Sequence, residues 1–374
     1  MASEQELIEW AASFGPLLAE HAERHDRDGT FVEEGHAAIR EAGLLAIGVP
    51  EELGGKGATI RQISMVQREL AKHCASTALA SAMHQHIVAF GAWRYRREMP
   101  GAEAMLRRVA EEKIVLVSTG GADFTKPRGK AEKVDDGYKV SGTKIFCSQS
   151  PVGTALSTLL PYENPETGLR VLSMSVPLAA EGVTVLDNWD TLGMRGTGSN
   201  DVTLENVFVP DAAVAADRPH GVMDPPLQAI ASIAMGIVAA VYLGVAEGAY
   251  NAALAAAESK KDDLIVQRQV GLMASRLRIA SWALDGALAT IGDDPTPSME
   301  NVAAVMAAKR EISLAGIEVC DIALEVGGGA AYFKGSPIER AYRDIRAVKF
   351  HPLNMEASLV HAGRVALGVP AEDV

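Results

Sequence analysis

The sequence is short of the features that usually identify a protein quickly. Aromatic residues make up only 5% of its 374 residues, and the three cysteines, Cys74, Cys147 and Cys320, show no motif spacing. They read as reduced thiols of a cytoplasmic protein. No extended basic patch with interleaved aromatics appears, and charges of both signs are spread along a chain of net charge −13. Nucleic acid is therefore excluded as an expected partner. The start, MASEQELIEW, is acidic and has none of the apolar core of a signal peptide. Neither a GxSxG elbow nor an HExxH pair occurs, which leaves hydrolytic and zinc chemistry without support. His84 and His86 stand two apart on an expected helix and so face different ways, whereas helical metal ligands prefer spacings of three or four. No metal is expected.

One charge-free run, AIASIAMGIVAAVYLGVA from Ala229 to Ala246, is long enough to suggest a membrane span. Its flanks are Asp224 and Glu247 rather than Lys/Arg anchors, and it is built from Ala, Gly and Ser rather than Leu and Phe. A helix apolar all round is also what the centre of a large soluble bundle needs. The run is read as a buried helix, and no membrane is expected.

What the chain does have is 48% hydrophobic residues and abundant alanine, a basis for close-packed helices. Three blocks follow one another. Residues 1–112 read as a helical domain. In FVEEGHAAIREAGLLAIGVP, Phe31, Ala38, Ile39 and Leu44 recur near helical spacing, EELGGKGA breaks the pattern, and TIRQISMVQRELAKHCASTALASAMHQHIVAFGAWR forms one long helical region. Residues 113–212 change texture. IVLVSTG is short and β-branched, and VDDGYKVSGTKIFC carries a hairpin signal at Asp136-Gly137. About seven strand-like runs follow without intervening helices, which excludes parallel βαβ units and leaves an antiparallel sandwich or barrel. Residues 213–374 return to helix: the apolar run, Leu264 to Ile291, Ser298 to Gly328, and a last helix with Asn354 as its N-cap. The expected fold class is α+β and multi-domain: an N-terminal helical domain, a central antiparallel β-sandwich or barrel, and a C-terminal four-helix bundle.

Three local patterns carry candidate chemistry. GGGA at Gly327 to Ala330 follows a helix rather than a strand, so it is not a dinucleotide fingerprint. It reads as a helix cap, or as bare backbone that lets a phosphate approach. GMRGTGSND, Gly193 to Asp201, is no P-loop, yet Arg195, Thr197 and Ser199 put one cation and two hydroxyls on a glycine-rich turn. Such a turn holds a phosphate or merely crosses between strands. SGTKIFCSQS, Ser141 to Ser150, ends a strand with small polar side chains that suit either a ligand wall or an ordinary strand end. Cys147 there has no base partner and reads as packing.

The block order resembles the acyl-CoA dehydrogenase superfamily, and local stretches agree: EELGGKGAT, DGYKVSGTKIFCSQ, NWDTLGMRGTGSNDVTLENVFVP and VGGGAAYFKGSPIERAYRDIR. The resemblance runs from about residue 31 to 368. It implies a homotetramer or homodimer and a flavin held between the β domain and the bundle. By position, Val117, Ser118 and Thr119 would line the flavin, Phe146 would flank its ring with Cys147 beside it, and Ser148 would meet the ring edge near N5. Arg195 and Thr197 lie on the segment closing the β domain. Gly327 and Gly328 match a glycine pair that meets the pyrophosphate, in tetramers that of the neighbouring subunit, which turns their reading from cap alone to cap plus phosphate contact.

The departures from the dehydrogenase pattern decide more. In many members the glutamate base lies nine residues after the Arg of the Arg-Asp signature, and from Arg343 that position is Pro352. Others take it from the first bundle helix, where QAIASIAMGIV has no acid; Glu356 and Glu247 are the nearest carboxylates and both are out of register. The motifs that usually hold FAD phosphates are missing as well. A branch of the superfamily consists of two-component monooxygenases, which receive reduced flavin from a separate reductase and oxygenate a small substrate through a C4a-hydroperoxide. Their histidine lies eight residues after the same Arg, and here that residue is His351. The resemblance thus implies a flavin-dependent monooxygenase with His351 as acid/base and Ser148 at the flavin edge. The cofactor would be FAD, or reduced FMN or FAD supplied by a reductase. Alternatives are an FAD-dependent acyl-CoA dehydrogenase with a relocated base, and a non-catalytic relative that binds flavin or an acyl group.

Overall fold

The computed structural model describes residues 2–370 except 120, 122 and 124. Gly120, at the end of the expected strand IVLVSTG, lies outside the described residues. The N-terminal block is six helices: α1 (Glu4–Ser13), α2 (Gly15–Asp28), α3 (Glu33–Glu41), α4 (Ile60–His73), α5 (Ala75–Tyr95) and α6 (Ala102–Glu111). Ser3 with Glu6 and Thr59 with Gln62 form reciprocal capping boxes that start α1 and α4. The long helical region expected over residues 59–94 is present as two helices, α4 and α5. Cys74 takes an extended backbone between α4 and α5, and its thiol accepts the Thr77 N–H as the cap of α5. Nothing in the local composition announces this break, because it contains neither Gly nor Pro.

The β block holds β1 (Leu116–Ser118), β2 (Lys130–Val134), β3 (Gly137–Lys144), β4 (Ala155–Asn164), β5 (Gly168–Pro177), β6 (Val183–Val185), β7 (Val202–Pro210) and β8 (Val214–Pro219). They form one connected sheet in the order β6-β7-β3-β2-β4-β5-β8, with β1 joined to β4. The pairings are antiparallel apart from β1 with β4 and a single contact of β2 with β4. The sheet is therefore antiparallel-rich rather than wholly antiparallel. The hairpin at Asp136-Gly137 forms as expected, with Asp136 at φ +59°. β8 carries the sheet past residue 212, where helix was expected to resume. Its sequence VAADRP is short and half polar, so it leaves little alternation to read.

The C-terminal block contains α7 (Pro225–Ala257), α8 (Leu264–Ile291), α9 (Met299–Gly327), α10 (Pro337–Asp344) and α11 (Met355–Leu367). Asp224 caps α7, two prolines open its first turn, and Asn354 caps α11 as expected. The helix Pro225–Lys260 is long and apolar enough to cross a membrane, but 94% of its most apolar window lies buried inside the fold, as in a core helix. It packs on α4, α5, α8, α9 and α10. Two glycines let α4 come close. A Cβ at Gly244 would stand 2.1 Å from the Arg68 carbonyl oxygen, and one at Gly248 would stand 2.7 Å from that of Lys72.

The Arg-Asp signature closes the three blocks on one another. The Arg343 guanidinium pairs with Asp26 of α2 (2.5 and 2.8 Å) and with Glu339 one turn back (2.6 and 2.8 Å), and donates to the Leu192 carbonyl. Asp344, also buried, accepts the Met194 N–H at 2.5 Å. Gly193 admits this contact, since a Cβ there would lie 2.4 Å from the Arg343 carbonyl. Burial raises the Asp344 carboxyl to about 6 against the bond from Met194. A carboxyl whose folded pKa is raised stabilises the fold below its unfolded pKa and loses that stability as pH rises through the folded value. Asp344→Asn keeps an acceptor for Met194 and removes the buried charge. We expect it to melt above the parent at pH 7, by an amount on the order of 2–3 kcal/mol. Melts taken between about pH 7 and pH 4 should show that advantage shrinking toward zero.

Candidate active site

His351 ends the short 3-10 segment Ile345–Phe350 and precedes Pro352 in extended backbone. Its Nε2 lies 2.8 Å from the Tyr242 hydroxyl, with the rings edge-on at 5.5 Å. Tyr242 is wholly buried on α7. The main chain of the turn is held from another side. Lys309 of α9, 4% exposed, donates from Nζ to the carbonyls of both His351 and Leu353 at 2.6 Å. Burial lowers Lys309 to about 7. His351 keeps some accessible surface, yet burial is the largest cause holding its pKa below the ordinary imidazole range, followed by the neighbouring basic groups Lys309 and His86.

The sheet approaches this turn through the segment after β1. A Cβ on Gly121 would lie 3.9 Å from Pro352 Cδ. Val117 is buried, Ser118 is half-buried, and the Thr119 hydroxyl donates to that of Thr158 at 3.0 Å. The two histidines of α5 part company as their spacing requires. His84 accepts the Leu116 N–H at Nδ1, so its Nε2 carries the proton and donates to the Leu45 carbonyl; it ties α5 to β1. His86 is bonded at Nδ1 to the Ala82 carbonyl, and its Nε2 has no partner among the described residues. Burial keeps both neutral, His84 at about 3 and His86 at about 4. No group of three or more His, Cys, Asp or Glu suited to a metal occurs among the described residues.

The end of β3 supplies the other wall. Phe146 and Gln149 both sit in the left-handed region, at φ +58° and +57°. Phe146 is half exposed and stands edge-on to Trp189 at 6.0 Å. Cys147 is buried against the Lys144 carbonyl, and burial pushes its thiol up to about 12, which leaves it a packing group. Ser148 opens a chain of hydroxyls: 2.8 Å to Ser199, 2.7 Å from Ser199 to Thr197, and 2.9 Å from Thr197 to the Met194 carbonyl. A carbonyl only accepts, so Thr197 donates to it. Ser199 must then donate to Thr197, and Ser148 to Ser199. The chain thus spends the Ser148 proton and leaves its oxygen lone pairs as acceptors.

Arg195 does not have a free guanidinium. Its Nε donates to the Asp26 carbonyl (2.7 Å), and Nη1 donates to Asp190 (2.6 Å) and the Thr191 carbonyl (2.9 Å). The positioning of that loop accounts for both Arg195 and Thr197. Gly328, at φ +65°, caps α9, and Lys260 donates to the Val326 carbonyl beside it. Gly327 stands 18 residues beyond Lys309 on the same helix, about 27 Å by helical rise. Within one chain, then, the glycines are remote from His351. The residues that sequence reasoning did not single out are Tyr242 and Lys309, while Ser199 was noted only as a hydroxyl of the glycine-rich turn and His86 only as an unsuitable metal ligand. The one hint for Tyr242 was a lone phenol in an apolar run.

The fold, with its β block between two helical blocks, is that of a family of flavin-dependent oxidoreductases. The chain belongs to the acyl-CoA dehydrogenase superfamily: residues 3–98 match the acyl-CoA dehydrogenase N-terminal domain and residues 236–356 the C-terminal domain. It is 28% identical to the amino sugar nitrososynthase DnmZ of Streptomyces peucetius, covering 97% of this chain and 93% of that protein. It is also 28% identical to isobutylamine N-hydroxylase of Streptomyces viridifaciens, over 96% and 93% of the two chains. The solved structure of KijD3 with FMN and a dTDP-amino-keto sugar matches with a TM-score of 0.86 at 28% identity, over 100% of this chain and 96% of that one. Acyl-CoA dehydrogenases also occur among its relatives, at 25–27% identity.

Lys309→Met would leave the His351 and Leu353 carbonyls without their donor. We expect a loss of about 1–3 kcal/mol, with faster amide hydrogen exchange confined to the 351–354 turn. Exchange unchanged there would show that the lysine does not hold it.

Proposed function

We propose that the protein is a monooxygenase that takes reduced flavin from a separate reductase and oxygenates a small organic substrate. The observation that carries this reading is that, among the described residues, no carboxylate is available at the turn. Glu247 is clasped by Arg68 and neighboured by Lys72 at 3.8 Å, Glu356 is exposed in the first turn of α11, and Asp344 is bound to Met194. A neutral imidazole occupies the turn instead. Abstraction of a proton α to a thioester needs a carboxylate base, whereas oxygen transfer needs a hydrogen-bonding group that stays uncharged near neutral pH.

The residues suit a flavin. The exposed face of Phe146 beside Trp189 fits a flat apolar ring, and the positive-φ residues on either side of Ser148 are backbone strain of the kind kept at functional sites. Ser148 offers an acceptor, the complement of the N5–H that only the reduced ring carries. Val117, Ser118 and Thr119 would form the wall beside it, with Cys147 as packing behind. When bound, reduced flavin supplies the electron pair that lets one oxygen atom reach the substrate while the other leaves as water. This chain's own part is to bind and orient: Ser148 would accept at the ring edge, and His351 would meet the reacting atoms. DnmZ and isobutylamine N-hydroxylase are named for action on amines, which makes an amine nitrogen the first substrate class to test.

The glycines at 327 and 328, with Lys260 beside them, would contact the flavin phosphates of a neighbouring copy. The exposed apolar side chains Leu264, Ile265, Ile279 and Trp282 along α8, and Leu314 on α9, support such self-association. Light scattering on the full chain should report a dimer or tetramer; a monomer would remove the glycines from the site.

Two measurements test the function. Titrations with reduced and oxidised FMN should favour the reduced form, and Ser148→Ala should weaken reduced FMN by about 5–10-fold, the worth of one hydrogen bond, with little change for the oxidised form. A reductase-coupled assay over a panel of primary amines should give N-oxygenated product. His351→Ala should lower product by about 10²-fold while hydrogen peroxide per NADH rises. Bleaching of bound FAD by an acyl-CoA, without oxygen incorporation, would instead establish the dehydrogenase.

A further inference from the structure

We infer that Tyr242 and Lys309 fix His351 as a neutral imidazole whose proton sits on Nδ1, so that the histidine meets the site as a hydrogen-bond donor and not as a proton shuttle. This goes beyond the monooxygenase reading and rests on it for the identity of what is met.

The hydrogen-bond inventory gives the tautomer. The Tyr242 hydroxyl is wholly buried, and its one partner among the described residues is His351 Nε2, at 2.8 Å. A buried O–H that donates to nothing is costly, so Tyr242 donates to Nε2. Nε2 is then the acceptor, and a neutral ring must carry its hydrogen on Nδ1. Nδ1 has no protein partner among the described residues and is not among the sealed, unpaired polar atoms, so it keeps accessible surface. The ring is therefore pinned at one nitrogen and open at the other.

The titratable groups around the ring do not favour its protonation. Those facing it are Lys309 from α9 and His86 from α5, which burial keeps neutral, while Tyr242 comes from α7 and is neutral. None is an anion that would favour imidazolium. Asp344 lies beyond Tyr242 and acts on the phenol, raising its pKa together with burial. A tyrosinate is therefore disfavoured too, and Tyr242 orients the ring without supplying a proton to it. It is a positioning residue. Lys309 completes the arrangement from the main chain: its Nζ fixes the carbonyls on either side of Pro352, and with them the direction of the ring.

The test reads the tautomer directly. The full chain, labelled with ¹⁵N-histidine, is examined by solid-state NMR between about pH 6 and pH 8, the span in which an ordinary imidazole titrates. His351→Gln identifies the signal among the nine histidines. The expected result is a neutral Nδ1–H pattern that does not change across the range. Tyr242→Phe, which preserves shape, should convert it to an Nε2–H or mixed pattern, and in the coupled assay should raise peroxide per NADH several-fold. An Nε2–H tautomer in the parent, or a shift to imidazolium between those pH values, overturns the inference, whether or not the variant folds. The spectra need neither flavin nor substrate. A wrong tautomer with oxygenated product would sink this inference alone, whereas the expected tautomer without product would sink the monooxygenase.

Discussion

A helix with no polar face has to be covered on every side, and α7 is such a helix. From Ala229 to Ala246 it carries no charge and is buried on nearly every side, while its last turns leave Asn251 and Leu254 exposed. The N-terminal helices α4 and α5 and the C-terminal helices α8, α9 and α10 are the cover. This constraint joins the first and last thirds of the chain into one core, with Gly244 and Gly248 thinning α7 where α4 crosses it. Once that core exists, any polar atom on α7 must find its partner inside it. Tyr242 is the main case, and its partner is the histidine of the C-terminal turn.

The same burial sets the electrostatics of the site. Groups that would be charged in water are driven toward neutrality by desolvation: His84, His86 and His351 are depressed, Lys309 is lowered, and Cys147 is raised. In the proposed site, the groups offered to the flavin and substrate are accordingly uncharged donors and acceptors. The hydroxyl chain from Ser148 to the Met194 carbonyl is organised by that one carbonyl, and the imidazole by one buried phenol. The Met194 main chain serves both sides of the arrangement, since its N–H goes to Asp344 and its carbonyl ends the hydroxyl chain. The Arg343–Asp344 pair thereby couples packing of the three blocks to the geometry of the Ser148 wall.

The fold was readable because its signals are local and repeated. Apolar helical spacing, the Asp136-Gly137 hairpin and the Asn354 cap each reflect a few adjacent residues. The break at Cys74 and the strand β8 were not readable, since the first depends on an extended backbone at one thiol and the second on pairing with β5. The candidate site was pointed to by the family resemblance rather than by local composition: register after Arg343 indicated His351, and position at the end of β3 indicated Ser148. Their partners, Tyr242, Lys309 and Ser199, lie 109, 42 and 51 residues away from them. A tyrosine in an apolar helix or a lysine among alanines has no local meaning until the helices are packed. Arg195 was left open between a phosphate site and a crossing turn, and in the structure its Nε and Nη1 serve the loop through Asp190 and two carbonyls.

The chemistry turns on what a fold can do with one position. A buried carboxylate in the His351 turn would make a base whose strength burial raises, which suits removal of a carbon-bound proton. Pro352 closes that option and at the same time fixes the direction of the residue before it. A histidine there, with its Nε2 already occupied, has a single nitrogen to offer. Oxygen transfer to a heteroatom needs the departing oxygen to be hydrogen-bonded and water to be kept from collapsing the reaction to peroxide. A rigid neutral donor does the first without introducing a charge that would draw water in. On this view the exchange of a carboxylate for an imidazole redirects the fold by replacing a group that removes protons with one that holds a proton still.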